Sequence, residues 1–220
     1  MLFHGYLSCK ENFGAQIAYF SKFYRVTAFD FLGFGGSGGL KSPFSVSDYA
    51  DWTGEVLSLL KVEKPHIIAH SFGCRVAVKM ASKNNSVFDK ILLTGPAGVV
   101  LKRSLGYRIK VGAYKFVKRF APIYAEKNFG SAEYRTLSPI MKESYKKIVN
   151  EDLRVDARKI ANEVCIVQGS CDYTTTRKEG LAYLACLSKG KWQDIDGGHF
   201  AFAENPLAFN LIAEEFLYDE

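Results

Sequence analysis

The sequence predicts an α/β fold: a mostly parallel, doubly wound sheet of about six strands, covered by helices on both faces and interrupted once by a helical insertion. Three observations carry this expectation. Short apolar runs rich in β-branched and aromatic residues alternate with longer amphipathic stretches, the pattern of parallel strands joined by helical crossovers. Each short run is followed by turn chemistry. Between residues 97 and 159 the strand pattern disappears and only helical stretches continue.

Taken in chain order, the strands are expected at Met1 to Phe3, Arg25 to Phe29, His66 to His70, Lys90 to Thr94, Val164 to Gln168 and Lys191 to Ile195. Helices are expected at Asn12 to Lys22, Asp48 to Leu60, Phe72 to Lys83, Thr176 to Leu187 and Pro206 to Leu217, where apolar residues recur at helical spacing. Within the interruption, Leu105 to Phe120 and Pro139 to Asn150 read as helices, with Pro122 and Pro139 as breakers. The organisation that follows is a core built from residues 1–96 and 159–220, with residues 97–158 inserted as a helical cap.

Bulk properties narrow the function classes. At 220 residues, 48% hydrophobic and 24% charged, the chain has ordinary globular composition. No run of 18 or more apolar residues is present, so no membrane span is expected. The first residues, MLFHGYLSCKENFG, lack the basic and apolar segments of a secretory signal, and a cytoplasmic protein is expected. Five cysteines, an odd number with no C-x-x-C pair, argue against a disulfide framework and a zinc knuckle. The net charge of +6 is unevenly placed, because residues 101–160 hold 15 Lys or Arg against 6 Asp or Glu. Such a segment predicts a bias toward negatively charged substrates or products.

The chemistry-bearing pattern begins at IIAHSFGCRVAVKMA, where Ser71 stands between an apolar strand and a helix with the small residues Ala69 and Gly73 two positions away. A nucleophile on such a turn is forced into strained backbone geometry, and small flanking residues let strand and helix pass closely. A serine hydroxyl needs a base to take its proton and a third group to orient that base. Of the four histidines, His66 begins a strand, His70 points away from Ser71, and His4 follows a strand in the pair His4-Gly5. That leaves His199, in the glycine-rich DIDGGHFAFAENP loop between the last strand and last helix, with Asp172 in the equivalent loop one unit earlier. The order along the chain is Ser71, then Asp172, then His199, the order expected of the class of proteins that carries its nucleophile on such a strand-to-helix turn. Two backbone amides are placed to receive a developing oxyanion, those of Phe72 and Tyr6.

This combination resembles the α/β-hydrolase superfamily over nearly the whole chain. The resemblance rests on the HG turn at His4-Gly5, the D-x-x-G-x-G-x-S stretch from Asp30 to Ser37, the AHSFG turn, LLTGPAG, QGSCD and GGHFAFAENP. It implies the fold, the inserted cap and the Ser71, Asp172, His199 triad, acting without metal or organic cofactor on an ester or similar acyl bond of a small, partly apolar substrate. Two departures stand out. Such proteins usually carry two strands before the HG strand, so the strand at Arg25 to Asp30 is expected to lie at an open edge and either to pair two copies of the chain or to leave it poorly soluble. Thr175 and Thr176 also stand where a proline often follows the acid.

Competing readings are weaker. Gly33, Gly35 and Gly38 form a G-x-G-x-x-G after a strand, but no helix opens at the last glycine, which argues against a dinucleotide site. The basic segment with Tyr107, Tyr114 and Phe116 interleaved reads as the inner face of the cap rather than a nucleic-acid or membrane surface. Cys74 and Cys171 have no histidine partner that Ser71 does not claim. GPAG and HFAF resemble the carbon–carbon hydrolases of vinylogous diketones, although that family's glycine-rich HG loop is missing. A non-catalytic ligand-binding protein on the same fold is the alternative from another class.

Overall fold

The structure, a computed structural model, describes residues 1–101 and 132–218, together with Gly112 and Arg119. Five strands, β1 (Leu2–Phe3), β2 (Ile67–His70), β3 (Ile91–Thr94), β4 (Val164–Gly169) and β5 (Gly190–Ile195), form one sheet in the order β1-β2-β3-β4-β5. Every pairing is parallel. β2, β3 and β4 are buried at every position, as expected of strands covered on both faces.

The alternation of side chains sorts the strands onto two cores. Phe3, Ile67, Ala69, Ile91, Leu93, Val164 and Ile166 face one layer, packed by α2 (Val46–Leu59) and α3 (Phe72–Lys83). Leu2, Ile68, Leu92, Cys165, Val167 and Ile195 face the other, packed by α1 (Gly14–Phe20) and the C-terminal helix. The doubly wound α/β architecture is thus the one the sequence predicts. Between β3 and β4 the described residues add α4 (Ala132–Thr136), α5 (Pro139–Asn150) and α6 (Arg154–Ala157). After β4 come α7 (Arg177–Leu184), α8 (Ala201–Glu204) and α9 (Pro206–Tyr218).

Sequence and structure differ at several boundaries. No strand forms at residues 25–29, so the sheet has five strands; a single parallel bridge, Leu2 to Ala28, marks the segment. On its outer side β1 meets this segment through that bridge, with the Leu2 N–H donating to the Thr27 carbonyl at 3.0 Å. The helix expected from Asn12 begins instead as a 3₁₀ turn at Lys10–Phe13, and the one expected to reach Leu187 stops at Leu184. The helix expected at Leu105 to Phe120, with its three aromatics, lies outside the described residues, as does much of the expected cap.

Candidate active site

All the candidate side chains stand at the carboxyl ends of the strands, where an open parallel sheet leaves its crevice. Ser71 follows β2 and opens α3 with φ 48 and ψ −106, the left-handed region that a residue with a Cβ enters only when its surroundings impose it. The imposition is visible two residues on. A Cβ at Gly73 would run into the Phe3 carbonyl oxygen, so only glycine lets α3 pass β1 this closely.

Ser71 Oγ lies 3.0 Å from His199 Nε2, and His199 Nδ1 lies 2.9 Å from Asp172 Oδ2. Asp172, at the end of β4, is buried and its oxygens are fully engaged. Oδ1 accepts the N–H groups of Thr174 and Thr175 at 2.8 and 2.9 Å. Oδ2 also accepts the Thr175 hydroxyl at 2.8 Å and the Gln168 amide at 3.3 Å. Burial by itself pushes the carboxyl up, but the bonds from His199 and Thr175 outweigh it and hold the group at about 2. A permanent carboxylate therefore faces Nδ1, which fixes the proton there and leaves the Nε2 lone pair toward the serine. Gly95 makes room for the pair, since its Cβ would come within 3.1 Å of both Asp172 Oδ2 and His199 Nδ1.

Tyr6 and Phe72, whose amides the sequence singles out, border the same cavity of roughly 680 Å³ as Ser71 and His199. Neither amide has a backbone partner among the described residues outside helices and strands, and Phe72 opens its helix, where an N–H has no intrahelical acceptor. The loop carrying Tyr6 is held from below. The Phe31 N–H donates to His4 Nε2 at 2.9 Å, so the His4 proton sits on Nδ1, 2.7 Å from the Gly5 carbonyl. The Tyr6 hydroxyl donates to the Met141 carbonyl at 3.3 Å, tying this loop to α5.

A scan against family models matches the α/β hydrolase fold over residues 1–160. The chain belongs to the α/β-hydrolase fold family. Among curated relatives, an uncharacterized protein of Mycobacterium tuberculosis is 28% identical over 109 residues, 50% of this chain and 32% of that protein. The (E)-2-((N-methylformamido)methylene)succinate hydrolase of Acinetobacter baylyi is 34% identical over 73 residues, 33% of this chain and 28% of the relative. The aligned part thus spans about a third of these relatives' own length. Among solved structures, the enol-lactonase from Burkholderia xenovorans LB400 superposes with a TM-score of 0.77 over 99% of this chain and 90% of that one, at 20% identity. That likeness is one of fold.

In this α/β-hydrolase the glycine tract after residue 30 wraps a carboxylate rather than opening a helix. Asp30 accepts from the Lys10 N–H at 2.7 Å, the Lys10 ammonium at 2.8 Å and the Gly36 N–H at 2.8 Å, while α2 waits until Val46. Burial raises the Asp30 carboxyl, but these bonds prevail and keep it at about 2. Because the unfolded value is about 3.9, the stabilisation is complete above that pH and is lost as pH falls toward 2. Asp30→Asn is expected to be less stable at pH 7 and to show a flatter decline between pH 4 and 2. Urea unfolding across that range checks it; parallel curves for the two proteins would refute the assignment.

Sequence reasoning missed three polar residues of the site. Thr175 gives Asp172 both an N–H and a hydroxyl, and a proline there would lack the N–H. Gln168 braces the same loop through the Thr175 carbonyl at 2.8 Å. His70, expected to point away from Ser71, borders the cavity and donates from Nε2 to the His199 carbonyl at 2.9 Å. Complete burial lowers its pKa to about 3, so it stays neutral and acts as a fixed donor. Among the described residues no group of three or more His, Cys, Asp or Glu side chains is placed to hold a metal ion, and no helix is long and apolar enough to cross a membrane.

Proposed function

We propose that the chain is a serine hydrolase that cleaves an ester or similar acyl bond of a small, partly apolar molecule through an acyl-enzyme on Ser71. The observation that carries this reading is the continuous line of hydrogen bonds from Ser71 Oγ through His199 to Asp172, opening into one cavity. In the proposed cycle His199 Nε2 takes the serine proton as Oγ attacks the acyl carbon. The tetrahedral oxyanion sits between the N–H groups of Tyr6 and Phe72, each such donor lowering a barrier of this kind by about 2.7–4 kcal/mol. The imidazolium then returns its proton to the leaving group, and a water repeats the two steps to free the acid. The positive end of α3, which begins beside Ser71, favours the same charge. Hydrolysis is also the activity in the name of the Acinetobacter relative.

A panel of p-nitrophenyl esters of graded acyl length tests the reading. Saturable turnover is expected, best for acyl groups that fit roughly 680 Å³, with one rapid equivalent of p-nitrophenolate wherever deacylation is the slower step. Binding of esters without turnover anywhere in the panel would point instead to a ligand-binding protein on this fold.

A further inference from the structure

We propose that Arg75 is a specificity residue that binds a carboxylate on the substrate, so that the natural acyl compound is an anion recognised inside the cavity. The inference rests on Ser71 as nucleophile for the meaning of "substrate", but its own observations concern the guanidinium. Arg75 stands four residues after Ser71 on α3, hence on the same helical face, and it borders the same cavity. It is 7% exposed. A buried cation without a counter-charge is costly, and burial here pushes the guanidinium pKa down.

The nearby carboxylates are committed elsewhere. Glu151 and Asp156 pair with Lys79 at 2.9 and 2.8 Å, and Asp152 pairs with Arg154 at 2.7 Å. Arg75 forms no ion pair among the described residues. Its two hydrogen bonds both leave Nη1, reaching the Ile148 and Glu151 carbonyls at the end of α5 at 2.8 Å each. Those bonds cap a helix and offset part of the charge through its dipole. They use one nitrogen only. Nε and Nη2 have no partner among the described residues, and this edge of the guanidinium is the planar fork that matches a carboxylate through two parallel N–H bonds. Val99, Leu137 and Val149 line the cavity alongside, and an apolar wall strengthens such a contact.

The test compares p-nitrophenyl hemi-esters of succinate, glutarate and adipate with neutral esters of equal length. The wild type is expected to prefer the hemi-esters, mainly through KM. Arg75→Met is expected to lower kcat/KM for the hemi-esters by about 10- to 100-fold and for the neutral esters by less than about threefold, the size of a lost charge-assisted pair. Arg75→Lys, which keeps the charge and a donor for the α5 carbonyls but loses the fork, should fall between and serves if the Met variant does not fold. Equal losses on both ester series would make Arg75 a helix cap only and overturn the proposal, as would a wild type without preference. A preference erased by 0.5 M salt yet untouched in the variants would assign it to the basic segment and overturn it too. If no ester turns over, the reading of Ser71 falls, and calorimetric titration of glutarate decides Arg75 separately: weaker binding to Arg75→Met supports it, and equal binding overturns it.

Discussion

Ser71→Ala is expected to lower kcat by about 10⁶-fold, the size seen when the nucleophile is removed from a triad that works as a unit. The fold should survive intact. Ser71 makes no side-chain cap bond to α3, so the lost hydroxyl leaves only His199 Nε2 without its partner, at the edge of a cavity where water can replace it. The backbone at this position has φ 48 whichever of the two residues occupies it. Ser71→Gly extends the argument, because glycine enters that region freely: it should be equally inactive but more stable by roughly 1 kcal/mol. Turnover, thermal melting and labelling by a fluorophosphonate probe check all three statements. An adduct on another residue, or turnover within tenfold of wild type in the alanine variant, would remove Ser71 from the mechanism.

What could be seen in the sequence follows from how local each determinant is. The turn at Ser71 is specified within a few residues, by the apolar run before it, the glycine after it and the helical pattern beyond, and α3 spans Phe72–Lys83 as read. The helix at Pro139–Asn150 was equally legible, with Ser138 accepting from the Met141 N–H and proline at its first position. The edge at residues 25–29 was not, because its pairing depends on how much strand β1 offers from another part of the chain. Arg75 escaped for the same reason. In FGCRVAVKMA nothing local marks Arg75 as buried, and its partners, the Ile148 and Glu151 carbonyls at the end of α5, come from a distant part of the chain. Thr175 had a local signal, a run of threonines starting two residues after the acid: the Thr174 and Thr175 N–H groups and the Thr175 hydroxyl fold back on Asp172 as short polar residues do in turns.

Asp172→Asn is expected to cost about 10⁴-fold in kcat with the shape of the site retained. The loop decides which way the new amide turns. Two backbone N–H groups, those of Thr174 and Thr175, point at the Oδ1 position, so the amide carbonyl must take that place. The amide nitrogen then occupies the Oδ2 position, 2.9 Å from His199 Nδ1; the Thr175 hydroxyl can rotate to accept from it, while the Gln168 amide loses its 3.3 Å contact there and keeps its bond to the Thr175 carbonyl. An N–H donor facing Nδ1 requires a lone pair there, which moves the imidazole proton to Nε2. That nitrogen faces Ser71 Oγ at 3.0 Å and can no longer accept its proton. Ester turnover and the rate of fluorophosphonate labelling should therefore fall together, while KM for a neutral ester changes little. A loss smaller than about tenfold in a variant that melts normally would mean that another group orients His199.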